Sequence, residues 1–241
     1  MEEGKQIQEE AKAPEPAPAP QAAAAPPAQA EAAPAPAPEP PKEESAAPAE
    51  APLGATILMF GKFDVSGVVV RDAGMARYID TTPVAVPHTG GRHTNKPFAK
   101  AKMSIVERLI NGMMRTEDFT GKKLKAYRAV ENSFSLIQKK SGKNPLQTFI
   151  DALLNVGPRE EVTRLQYGGI SVPKAVDVAP ARRVDLALRY ICTGALEQSH
   201  KSKKPIEECL ADEIIAASNN DMNSFSVSKK EEIERVAASA R

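Results

Sequence analysis

After Ser104, apolar residues recur every three or four positions through most of the chain, which is the spacing of amphipathic helices. Six helices are predicted from this spacing, over residues 105–114, 122–140, 145–156, 180–196, 205–217 and 229–240. Ser104 and Ser228 each stand three positions before a glutamate, and we interpret both pairs as capping boxes that start helices. Asn144 is interpreted as an N-cap that is followed by proline at the first helical position. The apolar stripe of the second helix is expected to comprise Leu124, Tyr127, Val130, Phe134 and Ile137.

Between residues 161 and 178 the helical spacing gives way to the alternation that is typical of strands. Gly168 and Gly169 lie in the middle of this stretch and can adopt the positive φ angles that a hairpin turn requires. Pro173 has no N–H to donate to a neighbouring strand, which argues against a place inside a larger sheet. The stretch is therefore predicted to form an exposed two-stranded ribbon. It must lean on the helices or on a partner, because an isolated ribbon is only marginally stable in water.

The residues before the first helix have a different character. Residues 56–60 and 65–70 are short apolar runs, expected to be strands or extended arms packed on the rest of the chain. Residues 81–100 are rich in proline and glycine and are predicted to form a loop or arm without regular structure. The predicted fold class is mainly α, a bundle of about six helices with a protruding two-stranded β-ribbon. Residues 53–102 would form the arm and loop, and residues 103–241 the helical bundle with its ribbon at 161–178.

Residues 1–52 have a composition that predicts no fold. They hold 13 of the 21 prolines together with 18 alanines, and Ile7 is their only branched apolar residue. Such a segment cannot bury enough apolar surface to offset the loss of chain entropy, so a disordered extension is expected. Repeated Ala-Pro pairs favour extended polyproline II, which is typical of a semi-rigid spacer. A tolerated surface extension is favoured over a tail that docks a partner.

The formal net charge of +1 conceals two parts of opposite sign. Removing the ten glutamates and three lysines of residues 1–52 from the totals of 31 acidic and 32 basic residues leaves 21 and 29, a charge of +8 on residues 53–241. A basic domain with an acidic tail suggests a polyanionic partner. Cys192 and Cys209 fall in predicted helices and are interpreted as core thiols in a reducing compartment. No secretory signal or membrane-spanning run is recognisable, so a soluble, intracellular protein is expected.

The sequence offers little for catalysis or for metal binding. His88 and His93 share a loop without a nearby cysteine or carboxylate, and His200 stands alone, so no metal site is predicted. Gly121 followed by two lysines fails the phosphate-binding loop pattern, because its first glycine and its serine or threonine are missing. We therefore predict that the protein is not an enzyme and carries no cofactor.

Basic residues collect where the backbone is expected to be exposed, which favours binding to RNA. The flexible loop adds the aromatic ring of Phe98, which could stack on a base. Each cluster alone would fit an ordinary solvated surface, and DNA or a membrane surface remain alternatives on charge alone. The candidate RNA-binding residues form four clusters: Arg92, His93, Lys96, Lys100 and Lys102; Lys122, Lys123 and Lys125; Arg182, Arg183 and Arg189; and Lys201, Lys203 and Lys204.

Eight longer stretches of the sequence form an ordered set of motifs. They are Pro87-His-Thr-Gly-Gly-Arg-His93, Ile105-Val-Glu-Arg-Leu-Ile110, Gly121-Lys-Lys-Leu-Lys-Ala-Tyr127, Gly157-Pro-Arg-Glu-Glu-Val162, Gly168-Gly-Ile170, Pro180-Ala-Arg-Arg-Val-Asp185, Glu208-Cys-Leu-Ala-Asp-Glu-Ile-Ile215 and Lys229-Lys-Glu-Glu-Ile-Glu-Arg235. These motifs resemble the universal small-subunit ribosomal protein seven family, in its archaeal form. The resemblance runs from about Leu58 to Arg241 and excludes residues 1–52.

The resemblance implies a structural protein of the cytoplasmic ribosome that binds the 3′ major domain of small-subunit (16S) rRNA and nucleates assembly of the subunit head. It also implies a place at the subunit interface near the decoding centre, beside neighbouring proteins of the head and platform. The ribbon would reach toward exit-site tRNA and mRNA. The ribbon residues expected nearest to tRNA and mRNA are Arg164, Tyr167, Gly168, Gly169 and Lys174.

Two alternatives of other classes remain open at this point. The free protein could regulate its own synthesis by binding its mRNA through the same basic surface. The extension of residues 1–52 could instead act as a scaffold for another protein.

Overall fold

The computed structural model describes residues 57–115 and 119–241. Within these residues it contains seven α-helices and one antiparallel pair of strands, which confirms the predicted helical bundle with a ribbon. The predicted extension of residues 1–52 lies outside the described residues. The elements are α1 (Ala73–Ala76), α2 (Ile105–Met113), α3 (Lys123–Ser141), α4 (Pro145–Val156), β1 (Glu160–Tyr167), β2 (Ile170–Asp177), α5 (Pro180–Ser199), α6 (Ile206–Ser218) and α7 (Phe225–Ser239).

Helix α6 lies at the centre of the bundle and packs against α3, α4 and α5. Its Leu210 and Ile214 are fully buried, as are Phe134 of α3 and Phe149 of α4. These residues stand at the three- and four-residue spacings that place side chains on one face of a helix. The spacing of apolar residues in the sequence therefore identified most of the core correctly. Among the described helices, none combines the length and the apolar character needed to cross a membrane.

Helices α2 and α5 cross closely because one of them carries a glycine at the contact. A Cβ atom on Gly112 would lie 2.8 Å from the Sγ of Cys192, closer than real Cβ contacts allow. Cys192 and Cys209 are both buried free thiols, as predicted for core residues. Burial raises the pKa of the Cys192 thiol to about 12.

The segment before α1 is extended and packed on the bundle, without a regular strand in its described part. Met59 and Phe63 form an isolated bridge around a tight turn. The ring of Phe60 lies edge-on to Tyr127, with 4.9 Å between the ring centroids. Farther along, the amide of Gln147 accepts a hydrogen bond from the Val69 N–H and donates one to the Val69 carbonyl, which attaches the segment to α4. The second of the two possibilities, a packed arm, is therefore the one observed.

The predicted capping box at Ser104 is wrong, although α2 begins where expected. The Ser104 side chain makes no capping bond, and its hydroxyl is buried without a hydrogen-bond partner among the described residues. Glu107, the other half of the proposed box, instead contacts Thr89 and Lys123. A charged lysine and two donors from the loop outcompete the backbone N–H that a capping glutamate would accept.

The predicted start of the last helix is also wrong. Helix α7 begins at Phe225, and Ser224 rather than Ser228 is its N-cap. The reason is a buried glutamate on α6. Glu213 accepts hydrogen bonds from the Ser226 N–H at 2.9 Å and from the Ser224 and Ser226 hydroxyls at 2.7 and 2.6 Å. We call this group, with Gln198 donating to the other carboxylate oxygen at 2.7 Å, the α6–α7 junction.

Two smaller expectations are corrected as well. Leu124 was expected in the apolar stripe of α3 but is 76% exposed, because the buried face is centred on Val130, Phe134 and Ile137. The loop of residues 81–100 was expected to lack regular structure. It contains one short 3₁₀ turn at Arg92–Asn95, and a second, Ala99–Lys102, begins within it. Turns of this kind need only one or two hydrogen bonds and tolerate flanking glycine and proline.

The ribbon has the predicted turn, with Gly168 at φ 54° and Gly169 at φ 89°. Tyr167 pairs with Ile170 next to the turn, and Pro173 pairs with Arg164. Its base is fixed to the end of the chain, because the Ala175 N–H donates to the Ala240 carbonyl and Arg241 pairs with Glu160. The ribbon thus leans on α7, which supplies the support that an isolated hairpin lacks.

Candidate nucleic-acid interface

A groove of about 490 Å³ runs between α2 and α5, with the loop before α2 as one wall. Met103, Leu188 and Leu196 contribute apolar surface, while its polar side chains are mostly basic. One carboxylate, that of Asp185, faces them among the described lining residues. The basic lining residues are His93, Lys100, Arg108, Arg115 and Arg189. A concave surface with several cations and a single carboxylate attracts a polyanion.

Asp185 joins the loop to both helices of the groove. Its Oδ1 accepts a hydrogen bond from Arg108 at 2.7 Å, and its Oδ2 is paired with Lys100. Arg108 also donates to the Tyr78 carbonyl at 2.9 Å and is nearly buried. Burial raises the pKa of Asp185, but the bonds and charges of Lys100 and Arg108 outweigh burial and hold that pKa below its usual value. Asp185 therefore stays ionised and fixes the position of the loop.

A second ionic contact, which we call the arm junction, ties the same loop to the start of α3. The buried Glu107 carboxylate accepts hydrogen bonds from Lys123 at 2.7 Å and from the Thr89 N–H at 3.0 Å. Its other oxygen is buried without a hydrogen-bond partner in the described part of the chain. Burial raises the pKa of Glu107, but the hydrogen bond and charge of Lys123 and the hydrogen bonds of Thr89 outweigh burial and hold that pKa below its usual value.

These contacts connect individual members of three of the four predicted basic clusters. The loop cluster reaches α5 through Lys100 and reaches α3 through Thr89 and Glu107, while Arg189 lines the groove. The fourth cluster, Lys201, Lys203 and Lys204, lies beyond the end of α5 and does not line the groove. Its three lysines are exposed.

The predicted basic residues divide into those with intramolecular partners and those that face solvent. Four of them form ion pairs: Lys100 with Asp185, Lys123 with Glu107, Arg182 with Glu161 at 2.9 Å, and Arg183 with Asp72 at 3.0 Å. Lys125 lies over the Phe119 ring at 5.1 Å from its centroid. His93 lies 3.4 Å from the Thr89 hydroxyl. The candidates that are exposed and pair with no described carboxylate are Arg92, Lys96, Lys102, Arg189, Lys201, Lys203 and Lys204.

A second cleft, of about 670 Å³, is lined mainly by α4 and by the C-terminal ends of α3 and α6. Arg183 lines it, and the buried Nε of this arginine has no hydrogen-bond partner among the described residues. The carboxylates of Asp72 and Asp151 lie in the same lining. The further cations of this cleft are Arg71, Lys140, Lys143 and Arg159.

The sequence reasoning missed several basic residues that the fold collects. Arg108 and Arg115 were overlooked because they are isolated in the sequence, yet both line the groove, Arg108 from α2 and Arg115 from the turn that follows it. The cations of the second cleft come from separate segments and had no signal that local sequence could carry. The basic residues that cluster in the sequence are therefore not the same set as those that cluster in the structure.

The ribbon residues lie apart from the groove and are exposed at the tip. By the register of the pair, Tyr167, Ile170, Val172 and Lys174 share one face, while Arg164 is on the other. Tyr167 and Ile170 are about two-thirds exposed, at 65% and 69%. The tip therefore presents an apolar face next to a lysine, and the two predicted cations, Arg164 and Lys174, point to opposite sides.

The comparison with known proteins gives a consistent result. Residues 75–241 match the sequence profile of the family described as ribosomal protein S7p/S5e. The chain is 58% identical over 184 residues to small ribosomal subunit protein uS7 of Picrophilus torridus, a match that covers 76% of this chain and 98% of that protein. The protein of the same name from Archaeoglobus fulgidus is 58% identical over 77% of this chain and 95% of its own length. That of Methanospirillum hungatei is 51% identical over 83% of this chain and 99% of its own length.

Proposed function

The chain belongs to the ribosomal protein S7p/S5e family, in its archaeal form, and from this premise we propose that it binds the 3′ major domain of small-subunit rRNA and nucleates assembly of the subunit head. Its role is that of a structural constituent of the small ribosomal subunit in translation. Residues 53–241 would be the rRNA-binding unit, and residues 1–52 an extension outside it.

The observation that carries the proposal is the basic groove between α2 and α5. Arg115 and Arg189 are exposed there and pair with no described carboxylate. Contacts of such cations with phosphates would fix the position of the RNA but would not read its sequence. Selectivity would come from the shape of the RNA and from the few bases that the loop can reach.

The internal ion pairs have a separate part in this mechanism. Lys100 and Lys123 are held by Asp185 and Glu107, so they position the loop before any RNA arrives. A loop that is already ordered loses less conformational entropy on binding. The exposed Arg92, Lys96 and Lys102 of the same loop would then meet phosphates directly.

The ribbon and the remaining partners follow from the same premise. The exposed ribbon tip, with Tyr167 beside the turn, would reach toward exit-site tRNA and mRNA near the decoding centre. Neighbouring proteins of the head and platform would cover other faces. The protein would act in the cytoplasm as part of the ribosome.

A binding titration of the full chain tests the proposal directly. A transcript of the 3′ major domain is titrated at several salt concentrations, and an unrelated RNA of equal length serves as control. We expect tight binding with a strong preference for the 3′ major domain. Equal, purely salt-driven affinity for both RNAs would contradict it.

Substitutions in the groove test which residues act. Replacing Arg115 and Arg189 together by alanine is expected to weaken binding and to make the plot of log K against log salt shallower by about 0.7–0.9 per lost phosphate contact. Lys139→Ala is the matched control, because Lys139 is an exposed α3 lysine that lines neither cleft. An unchanged slope in the double variant would remove the groove from the interface.

A further inference from the structure

The loop of the candidate interface contains a turn whose third residue is unusual. The Ala99 N–H donates to the Lys96 carbonyl at 3.3 Å and so closes a four-residue turn around Pro97 and Phe98. Phe98 has φ 59° and ψ 5°. These are the angles of the third position of a type II turn, which glycine normally occupies because a side chain is strained at positive φ. Phenylalanine therefore stands where the backbone favours glycine.

A second phenylalanine shows how the fold can offset the same strain. Phe60 has φ 56°, yet it is buried, and its ring packs against those of Tyr127 and Phe134, with centroids 4.9 and 6.1 Å away. Phe98 differs, because it is 75% exposed and has no ring-to-ring contact within the described residues. Folding of the chain gains much from the ring of Phe60 and little from the ring of Phe98.

The surroundings of Phe98 point to a ligand with both charge and flat rings. Lys96 and Lys102 flank it, are exposed and pair with no described carboxylate, and Lys100 lies between them. Cations that follow a phosphate backbone, with an aromatic ring set among them, are the arrangement by which proteins hold unpaired nucleotides. Strained residues that the fold itself does not use are concentrated at binding sites.

We propose that Phe98 stacks on an unpaired nucleobase of the bound RNA, with Lys96 and Lys102 contacting the flanking phosphates. This assignment rests on the proposed rRNA-binding function and specifies which part of the RNA the loop takes: a single-stranded base rather than a duplex edge. The strained turn keeps the ring in solvent and ready to stack.

Phe98→Gly separates this role from a structural one. Glycine relieves the strained turn, so the melting temperature of the full-length variant is expected to rise by about 2–4 °C. Affinity for the 3′ major-domain transcript is expected to fall by roughly tenfold or more, since stacking on a protein ring contributes that much per base. The salt slope should stay as in the unsubstituted chain. Lys96→Ala and Lys102→Ala are the matched controls and should make the slope shallower by about one each.

A spectroscopic test reports the stack itself. The chain contains no tryptophan, so Phe98→Trp introduces a single one. Its fluorescence is expected to be strongly quenched on adding the transcript or a single-stranded oligonucleotide. Met222→Trp places a tryptophan at an exposed position between α6 and α7 and should respond little.

The outcomes separate this assignment from the broader proposal. Undiminished affinity of Phe98→Gly, or an unquenched tryptophan at position 98 with both RNAs, would overturn the stacking role. A fall in the melting temperature of Phe98→Gly would assign the ring to packing on Tyr78, Ala101 and Ala181, with which it lines a small depression. Quenching by the oligonucleotide together with no preference for the 3′ major domain would support stacking while refuting the proposed rRNA target.

Discussion

The α6–α7 junction and the arm junction each hold a glutamate that is only 1% exposed, and they differ in what surrounds it. Glu213 accepts hydrogen bonds from uncharged groups alone, those of Ser224, Ser226 and Gln198. Glu107 is paired with Lys123. The first arrangement joins two helices inside the bundle, whereas the second fastens a basic loop to it. The difference teaches that a buried glutamate can stabilise the fold alone or can also position the loop of the proposed interface.

The largest effect is expected from Glu213→Ala. The substitution leaves the Ser226 N–H and one of the two buried hydroxyls without an acceptor, because the other hydroxyl can donate to its neighbour, and this should lower the free energy of unfolding by about 3 kcal/mol. For a chain of this size that corresponds to a fall in melting temperature of roughly 6–12 °C. Thermal unfolding of Glu213→Ala and of the conservative variant Glu213→Gln measures this fall in melting temperature.

RNA binding supplies the contrast for that variant. At a temperature well below its melting point, Glu213→Ala should bind the 3′ major-domain transcript with unchanged affinity. A large loss of affinity in the folded variant would mean that the α6–α7 junction also shapes the interface, and the comparison would fail.

Glu107→Gln is expected to have a smaller effect on stability and a larger one on binding. It removes the charge that Lys123 pairs with, and a loss of about 1–3 kcal/mol is expected. The loop would also become mobile, so affinity for RNA should fall. Lys123→Met, which removes the other partner, should reproduce both changes, and full affinity in the two variants would contradict the assigned role of the arm junction.

The pH dependence of stability tests the contribution of Glu107 in a second way. The folded pKa of Glu107 lies below its unfolded value near 4.5, so its stabilising contribution is complete above that pH and is lost as the pH falls through the folded pKa. Asp185 acts in the same direction. The acid limb of the stability curve should therefore be less steep in Glu107→Gln than in the unsubstituted chain, as urea unfolding between about pH 3 and 6 would measure.

An intermediate effect is expected at the start of α5. Replacing Arg182 and Arg183 together by alanine should weaken rRNA binding and lower its salt sensitivity. Both arginines have carboxylate partners in the chain, so the single variants are measured as well. Arg183→Ala removes the more buried ion pair, and Arg182→Ala removes the more exposed one. An unchanged salt slope in the double variant would exclude this pair from contact with phosphate.

The smallest effect is expected from deleting residues 1–50. Their composition predicts no packed structure, so the melting temperature should change by less than about 2 °C. A clear loss of thermal stability would show that the extension packs on the rest of the chain.

The accuracy of each sequence-based prediction depended on how far apart in the sequence the residues lie that determine the predicted feature. Helices α2 to α6, the Gly168-Gly169 turn and the cap at Asn144 depend on neighbours within a few residues, and they were predicted correctly, whereas the short α1 was not predicted and the start of α7 was misplaced. The two capping boxes failed because Glu107 and the region of Ser224 are governed by partners brought in by the tertiary fold. Spacing alone also misplaced Leu124. It stands three residues before Tyr127, which suggested the same helix face, but it lies outside the buried face.

The candidate site shows the same limit more strongly. Runs of basic residues in sequence identified the loop cluster, of which His93 and Lys100 line the groove. Arg108 and Arg115 complete that groove but appear in no basic run, because only the crossing of α2 and α5 places them beside Arg189. The ion pairs of Lys100 and Lys123 could not be predicted from the sequence, because each partner is distant in sequence and is brought near only by the tertiary structure.

The close approach of Gly112 to Cys192 also makes the separation of α2 and α5 measurable as a rate. The thiol is buried and its pKa is about 12, so a thiol-specific reagent reacts faster in molecules whose α2 and α5 have separated. The rate at which Cys192 is labelled under native conditions therefore reports how often the basic groove opens. RNA that spans the groove would hold the two helices together and lengthen the interval between openings.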